Sequence, residues 1–120
     1  MNNKIKGNLG EKIAQDFLIK NKFKILETNF RYSKLAEIDI IAQKNNTIHF
    51  IEVKTRTSNI SGNPLEAITK TKLNSIYSCA KFYLSNTKNH YDNMQIDAIA
   101  IILNETQEPK IEFIENISLN

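Results

Sequence analysis

Glu37-Ile38-Asp39-Ile40-Ile41 and Phe50-Ile51-Glu52-Val53-Lys54 are the two stretches on which the reading of this chain turns. Both are rich in Ile and Val, and Asn45-Asn46 lies between them, so they read as the strands of a hairpin. An even-length turn centred there pairs positions whose numbers sum to 91, which sets Asp39 opposite Glu52. Lys54 then shares the face of Glu52, two residues on. Facing carboxylates cost roughly 0.2–1 kcal/mol by repulsion. A divalent cation between them turns that cost into a binding site.

Along the second strand, Phe50, Glu52, Lys54 and Arg56 share one face, and Ile51, Val53 and Thr55 the other. Two readings stand for the charged row. It is the solvent-facing side of a half-buried sheet, or it is a set of charges held inside a strand pair that is apolar around them. Ile38, Ile40, Ile41, Phe50, Ile51 and Val53 favour the second, because buried charges are costly unless paired or bound to metal. The chemistry then follows. Mg²⁺ and Mn²⁺ take carboxylate oxygens, waters and phosphate oxygens, so Asp39 and Glu52 would be ligands, with the Val53 carbonyl as a third. Such an ion acidifies a water and offsets charge on a phosphate. Lys54 would hold the attacking water and stabilise charge in the transition state.

Working outward, Leu9, Ile13, Ala14, Phe17 and Leu18 recur at helical spacing and predict a helix over about residues 4–21. A first strand follows over 23–30, then the hairpin strands over 37–43 and 47–56. Residues 57–63 form a polar loop, and Pro64 opens the next element. Leu73, Ile76, Tyr77, Ala80, Tyr83 and Leu84 predict a second helix over about 70–86. Residues 95–103 are nearly all apolar apart from Asp97, as in a strand covered on both faces. A short edge strand is expected over 110–116. The order α-β-β-β-α-β-β predicts an α/β fold with a mixed β-sheet flanked by helices, and residues 1–120 as one domain.

Composition narrows the function classes. The single cysteine, Cys79, excludes an internal disulfide and a multi-cysteine zinc site, and reads as an inert, half-buried thiol. Residues 1–6 lack the apolar run of a signal peptide, and the apolar stretch 98–103 is too short to span a bilayer. A soluble, cytoplasmic protein with no membrane association is expected. Residues 1–90 carry fifteen Lys and Arg against seven Asp and Glu, whereas 91–120 carry one against six. A basic body of this kind suits a polyanionic partner; an ordinary solvated surface has the same composition.

Glu11 falls beside the apolar arc of the first helix, where it either reaches over the sheet toward the carboxylates or simply borders the surface. His49 faces away from Glu52, and His90 lies in a loop; neither has sequence neighbours at metal-ligand or triad spacing, so both read as structural. Asp97 reads as an acceptor for local backbone donors. Lys70 reads as a solvated helix residue, and Lys72 either meets phosphates or is solvated. With only Gly7, Gly10 and Gly62, no glycine-rich phosphate loop exists.

The ordered series Gly10-Glu11 with Ala14, Asn29 and Arg31, Glu37-Ile38-Asp39-Ile40-Ile41-Ala42, and Phe50-Ile51-Glu52-Val53-Lys54-Thr55-Arg56 resembles the YraN family of small bacterial proteins. Lys72, Ala80, Tyr83-Leu84 and Ile96-Asp97 continue the match, which spans roughly residues 7–103. That family is assigned to the PD-(D/E)xK nuclease-like superfamily and resembles archaeal Holliday-junction resolvases. The resemblance implies a restriction-endonuclease-like fold. It places Asp39, Glu52 and Lys54 at the superfamily's metal and catalytic positions, and Glu11 at the helical glutamate of the resolvase branch, with Asp39, Glu52 and Glu11 as ligands to Mg²⁺ or Mn²⁺. Arg31, Arg56 and Lys72 would bind nucleic acid. Ile38 stands where the signature has proline, and Ala36 where the family usually has glycine, leaving the ligands intact.

The expected function is metal-dependent endonucleolytic hydrolysis of DNA, with branched or recombination intermediates as substrates. The alternative is a non-catalytic nucleic-acid-binding or adaptor module acting through a protein partner. Junction resolvases work as dimers, which makes a homodimer an expectation of the resemblance, although no apolar stripe in the sequence commits the chain to one.

Overall fold

The computed structural model describes residues 2–34, 36–57, 64–104 and 107–117, with only the backbone for 64 and 65. Its elements are α1 (Asn3–Lys20), β1 (Lys24–Ser33), β2 (Ala36–Lys44), β3 (Thr47–Thr57), a short 3₁₀ turn (Pro64–Ala67), α2 (Lys70–Asn86), β4 (Asn93–Leu103) and β5 (Lys110–Ile114). The strands form one mixed sheet in the order β1-β2-β3-β4-β5, antiparallel except for the parallel pair β3–β4. That parallel pair requires a crossover, which α2 supplies. This is the mixed α/β architecture expected, with a helix on each face of the sheet. Most of the loop read over 57–63 lies outside the described residues.

Local chemistry sets the element ends. The Asn2 side chain accepts from the Ile5 N–H at 2.8 Å and caps α1; Thr69 does the same for α2, accepting from the Lys72 N–H at 3.1 Å. Asn45 takes a left-handed φ of 55° in the β2–β3 turn, a conformation asparagine tolerates better than most residues. The first strand runs three residues further than its pattern suggests, to Ser33, because β2 begins at Ala36 and offers partners to Arg31 and Ser33.

The sheet is covered on both faces. Ile38, Ile41, Ile48 and Phe50 pack with Leu73, Ile76 and Ala80 of α2. Phe23, Ile40, Ala42, Ile51, Ile99 and Ile101 pack with Ala14 and Leu18 of α1. Each fully buried Leu, Ile or Phe contributes about 1.5–3 kcal/mol, so together these two layers fix the central strands. α1 comes unusually close to β3: a Cβ added at Gly10 would lie 1.8 Å from Thr55 Oγ1. Glycine at that position is therefore a packing requirement, and it sets the height of the next residue, Glu11, over the sheet.

Candidate active site

The hairpin register is the one the turn arithmetic demands. Ile40 pairs with Ile51 and Lys44 with Thr47, so every pair sums to 91. The ladder stops at Ile40–Ile51, one step short of Asp39 and Glu52. In place of a further rung, the Val53 N–H donates to Asp39 Oδ2 at 2.8 Å. β2 also changes face here. Ile38 belongs to the α2 layer and Ile40 to the α1 layer, although residues two apart in a regular strand share a side. Asn29, flanked by the pairs Phe30–Ile38 and Thr28–Ile40, has a left-handed φ of 52° at the same level of β1. The break in alternation frees the Asp39 side chain from both apolar layers.

Glu52 lies on the α2 face of β3 and is buried, with a side chain only 5% exposed. Its Oε2 receives two ammonium groups, Lys72 Nζ at 3.3 Å and Lys54 Nζ at 3.7 Å. Among the described residues, Asp39 has no ammonium or guanidinium partner. Burial is the largest influence on its carboxyl; Glu52 beside it adds to that, both by sharing a proton and by repulsion, and Glu11 adds a little more. The Val53 N–H opposes these effects without overcoming them, and the pKa is pushed up to about 8. Burial also raises Glu11, helped by the charges of Glu37 and Glu52. Three carboxyls thus act on one another at one end of β3, with less positive charge on Asp39 than it needs to ionise.

Glu11 and Asp39 line one open cleft of ≈ 330 Å³, together with Lys4, Gly7, Val53 and Thr55. The structure therefore brings Glu11 toward Asp39, as its wheel position allows. Among the described residues, the carboxylates of Glu11, Asp39 and Glu52 do not form a three-membered group with all ligand atoms within 4.8 Å; the closely interacting pair is Asp39 and Glu52. The remaining expected residues spread around this core. Arg31 on edge strand β1 pairs with Glu37 at 3.5 Å. Arg56 lies on β3 two residues beyond Lys54 and is half-buried. Lys72, expected to face phosphate or solvent, is 37% exposed and pairs with Glu52 at 3.3 Å. Lys4 and Lys6, which also line the cleft, were not singled out in the sequence. The signal was available for Lys4: with Gly7 and Glu11 it follows the i, i+3, i+7 spacing of one helix face.

A second buried polar group joins residues that the sequence left apart. His49 and Asp97 are 5% and 0% exposed, and His49 Nδ1 lies 2.6 Å from Asp97 Oδ2. The other Asp97 oxygen accepts from Gln95 Nε2 and from the Asn116 N–H, each at 2.9 Å. His49 has partners that spacing along the chain does not show: Asp97 sits on the neighbouring strand β4, and the ligand atoms of His49, Asp97 and Glu115 lie within 4.8 Å of one another. The backbone donor to Asp97 comes from nineteen residues away rather than locally.

A domain with these features, a mixed sheet between two helices carrying a carboxylate pair and lysines at a broken hairpin, defines a class in which one family matches directly. Residues 10–101 match the model of Uncharacterised protein family UPF0102, and the chain belongs to that family, the one it resembles under the name YraN. It is 44% identical over 115 residues to a UPF0102 protein of Clostridium novyi (strain NT), covering 95% of each chain. A UPF0102 protein of Dictyoglomus thermophilum is 44% identical over 106 residues, covering 88% of this chain and 89% of the relative. One from Clostridium botulinum (strain Hall) is 50% identical over 103 residues, covering 85% and 83%. No helix among the described residues is long and apolar enough to cross a membrane.

Proposed function

We propose that the protein is a Mg²⁺- or Mn²⁺-dependent endonuclease acting on DNA, with branched or recombination intermediates as its substrates. One observation carries the reading: Asp39 and Glu52 are pressed together at the end of a hairpin ladder, and Asp39 lacks the positive charge it needs to ionise. The donor set is all oxygen, which suits a hard divalent cation. Such a cation would be held by Asp39 and Glu52, with Glu11 facing it across the cleft. When bound, it would supply charge neutralisation at a phosphate and acidify a water.

The chain's own residues supply the rest. Asp39 releases its proton as the site acquires positive charge, and the Val53 N–H keeps the freed carboxylate oriented. Lys54, anchored beside Glu52, is placed to orient the attacking water and to stabilise charge as it builds on the phosphate. Lys4 and Lys6 on α1, with Arg31 and Arg56 on the strands, offer cations to the DNA backbone on either side.

The test is purified protein with Mg²⁺ or Mn²⁺ and linear, flapped and four-way DNA. Metal-dependent cleavage is expected, and Glu52→Ala should lower it by about 10²-fold or more. Wild-type protein that cuts none of these substrates under any metal sinks the endonuclease reading. Binding that persists in the mutant and weakens steeply with salt, without cleavage by wild type, identifies the non-catalytic nucleic-acid module instead.

A further inference from the structure

Glu52 has two cations on one oxygen. Lys54 Nζ and Lys72 Nζ both approach Oε2, at 3.7 and 3.3 Å, whereas among the described residues neither pairs with Asp39. The two lysines differ in how they are held. Lys54 issues from β3 itself, two residues from Glu52 on the same strand. Lys72 issues from the first turn of α2, on a different element, and its side chain is the more exposed, 37% against 29%. It is the shorter contact and also the one that can leave: its four-carbon stem can swing outward without disturbing Leu73 and Ile76, which anchor that turn in the core.

We infer that Lys72 is the internal counter-ion of the site, occupying Glu52 in the absence of a divalent cation and transferring to a substrate phosphate when one binds. The inference rests on the proposed reading of Asp39 and Glu52 as cation ligands. Its physical basis is competition at a single oxygen. A divalent cation added to an oxygen that already faces two ammonium groups meets strong repulsion in this partly buried setting, most of all from the nearer one, Lys72. Cation binding therefore expels the more mobile lysine. An expelled lysine near a phosphate backbone has an obvious new partner, which Glu52 no longer competes for.

The device has two consequences. Lys72 weakens cation binding in free protein, protecting the site from loading without substrate. It also couples the two ligands: because coupling is reciprocal, DNA that captures Lys72 tightens cation binding by the same factor by which the cation tightens DNA binding.

The experiment measures Mn²⁺ binding to DNA-free protein by calorimetry, and then DNA binding with and without Mn²⁺. Lys72→Met should bind Mn²⁺ about tenfold more tightly than wild type, as expected for removing one charge next to a ligand. Lys72→Arg, which keeps the charge, should stay much closer to wild type, and Glu52→Ala should lose binding. In Lys72→Met the mutual strengthening of Mn²⁺ and a four-way DNA should shrink. Unchanged or weaker Mn²⁺ affinity in a folded Lys72→Met overturns the inference. Wild type that binds Mn²⁺ with this pattern but cuts no DNA overturns the endonuclease reading and leaves the exchange standing. Wild type that binds no Mn²⁺ overturns both.

Discussion

β3 carries two buried ionisable groups three residues apart, Glu52 toward α2 and His49 toward α1, and each has an aspartate from a neighbouring strand beside it. The two pairs solve the same problem in opposite ways. Asp97 accepts from His49, Gln95 and the Asn116 backbone, so its desolvation is matched by donors and the pair serves as a clasp between β3, β4 and the segment after β5. Asp39 accepts from one backbone N–H and otherwise faces another carboxylate. Among the described residues, that single N–H is what favours its charged form, and burial and Glu52 outweigh it. A buried polar pair that is fully bonded is evidence of architecture; one left short of positive charge is evidence of a place kept for a ligand.

That contrast can be broken by experiment. The largest effect should come from Asp97→Ala, which strands His49 and the Asn116 N–H and should cost about 3–5 kcal/mol of stability in urea melts. The Mn²⁺ affinity of the protein that remains folded should be unchanged. A loss of Mn²⁺ binding without a loss of stability would reverse the two assignments.

Asp39→Asn should do the opposite. The folded carboxyl, at about 8 against 3.8 in the unfolded chain, holds a proton that the unfolded chain has released. Wild-type stability contributed by this group is therefore complete below pH 3.8 and is lost as pH rises to about 8. An asparagine can still accept from the Val53 N–H and donate to Glu52, so the variant should flatten this slope and gain about 1–4 kcal/mol above pH 8. It should also lose metal binding. Denaturation at pH 6, 7.5 and 9 checks the sign; a slope as steep as that of wild type would show that Asp39 ionises freely.

A smaller effect is expected at Gly10. Gly10→Ala drives a methyl into Thr55 and should cost about 1–3 kcal/mol. By lifting α1 from β3, it should weaken Mn²⁺ binding through Glu11 while leaving the α2 face intact. Unchanged Mn²⁺ affinity in the destabilised variant would remove Glu11 from the site.

Much of this was legible beforehand. The hairpin register followed from an even-length turn and from Ile-Val patterning, because slipping by one residue would invert every apolar side chain. Both helices followed from their 3.6-residue stripes, and the apolar run of β4 from its burial on two faces. The wheel put Glu11 beside the apolar side of α1 without choosing between the sheet and the surface; the cleft it shares with Asp39 appears only in the fold.

Less legible were the features made by residues that meet across the fold. The change of face at Asp39 depends on β1, where Asn29 turns left-handed at the same level. Lys72 reads as a solvated or phosphate-facing residue until α2 is laid beside β3. His49 and Asp97 look unrelated until the parallel crossover makes their strands neighbours. The sequence by itself determined the elements, the hairpin pairing and the identities of the acids and lysines, because periodicity and turn chemistry act over a few residues. Only the tertiary structure decided which acids are neutralised, since charge compensation depends on distances in space between groups that the chain keeps far apart.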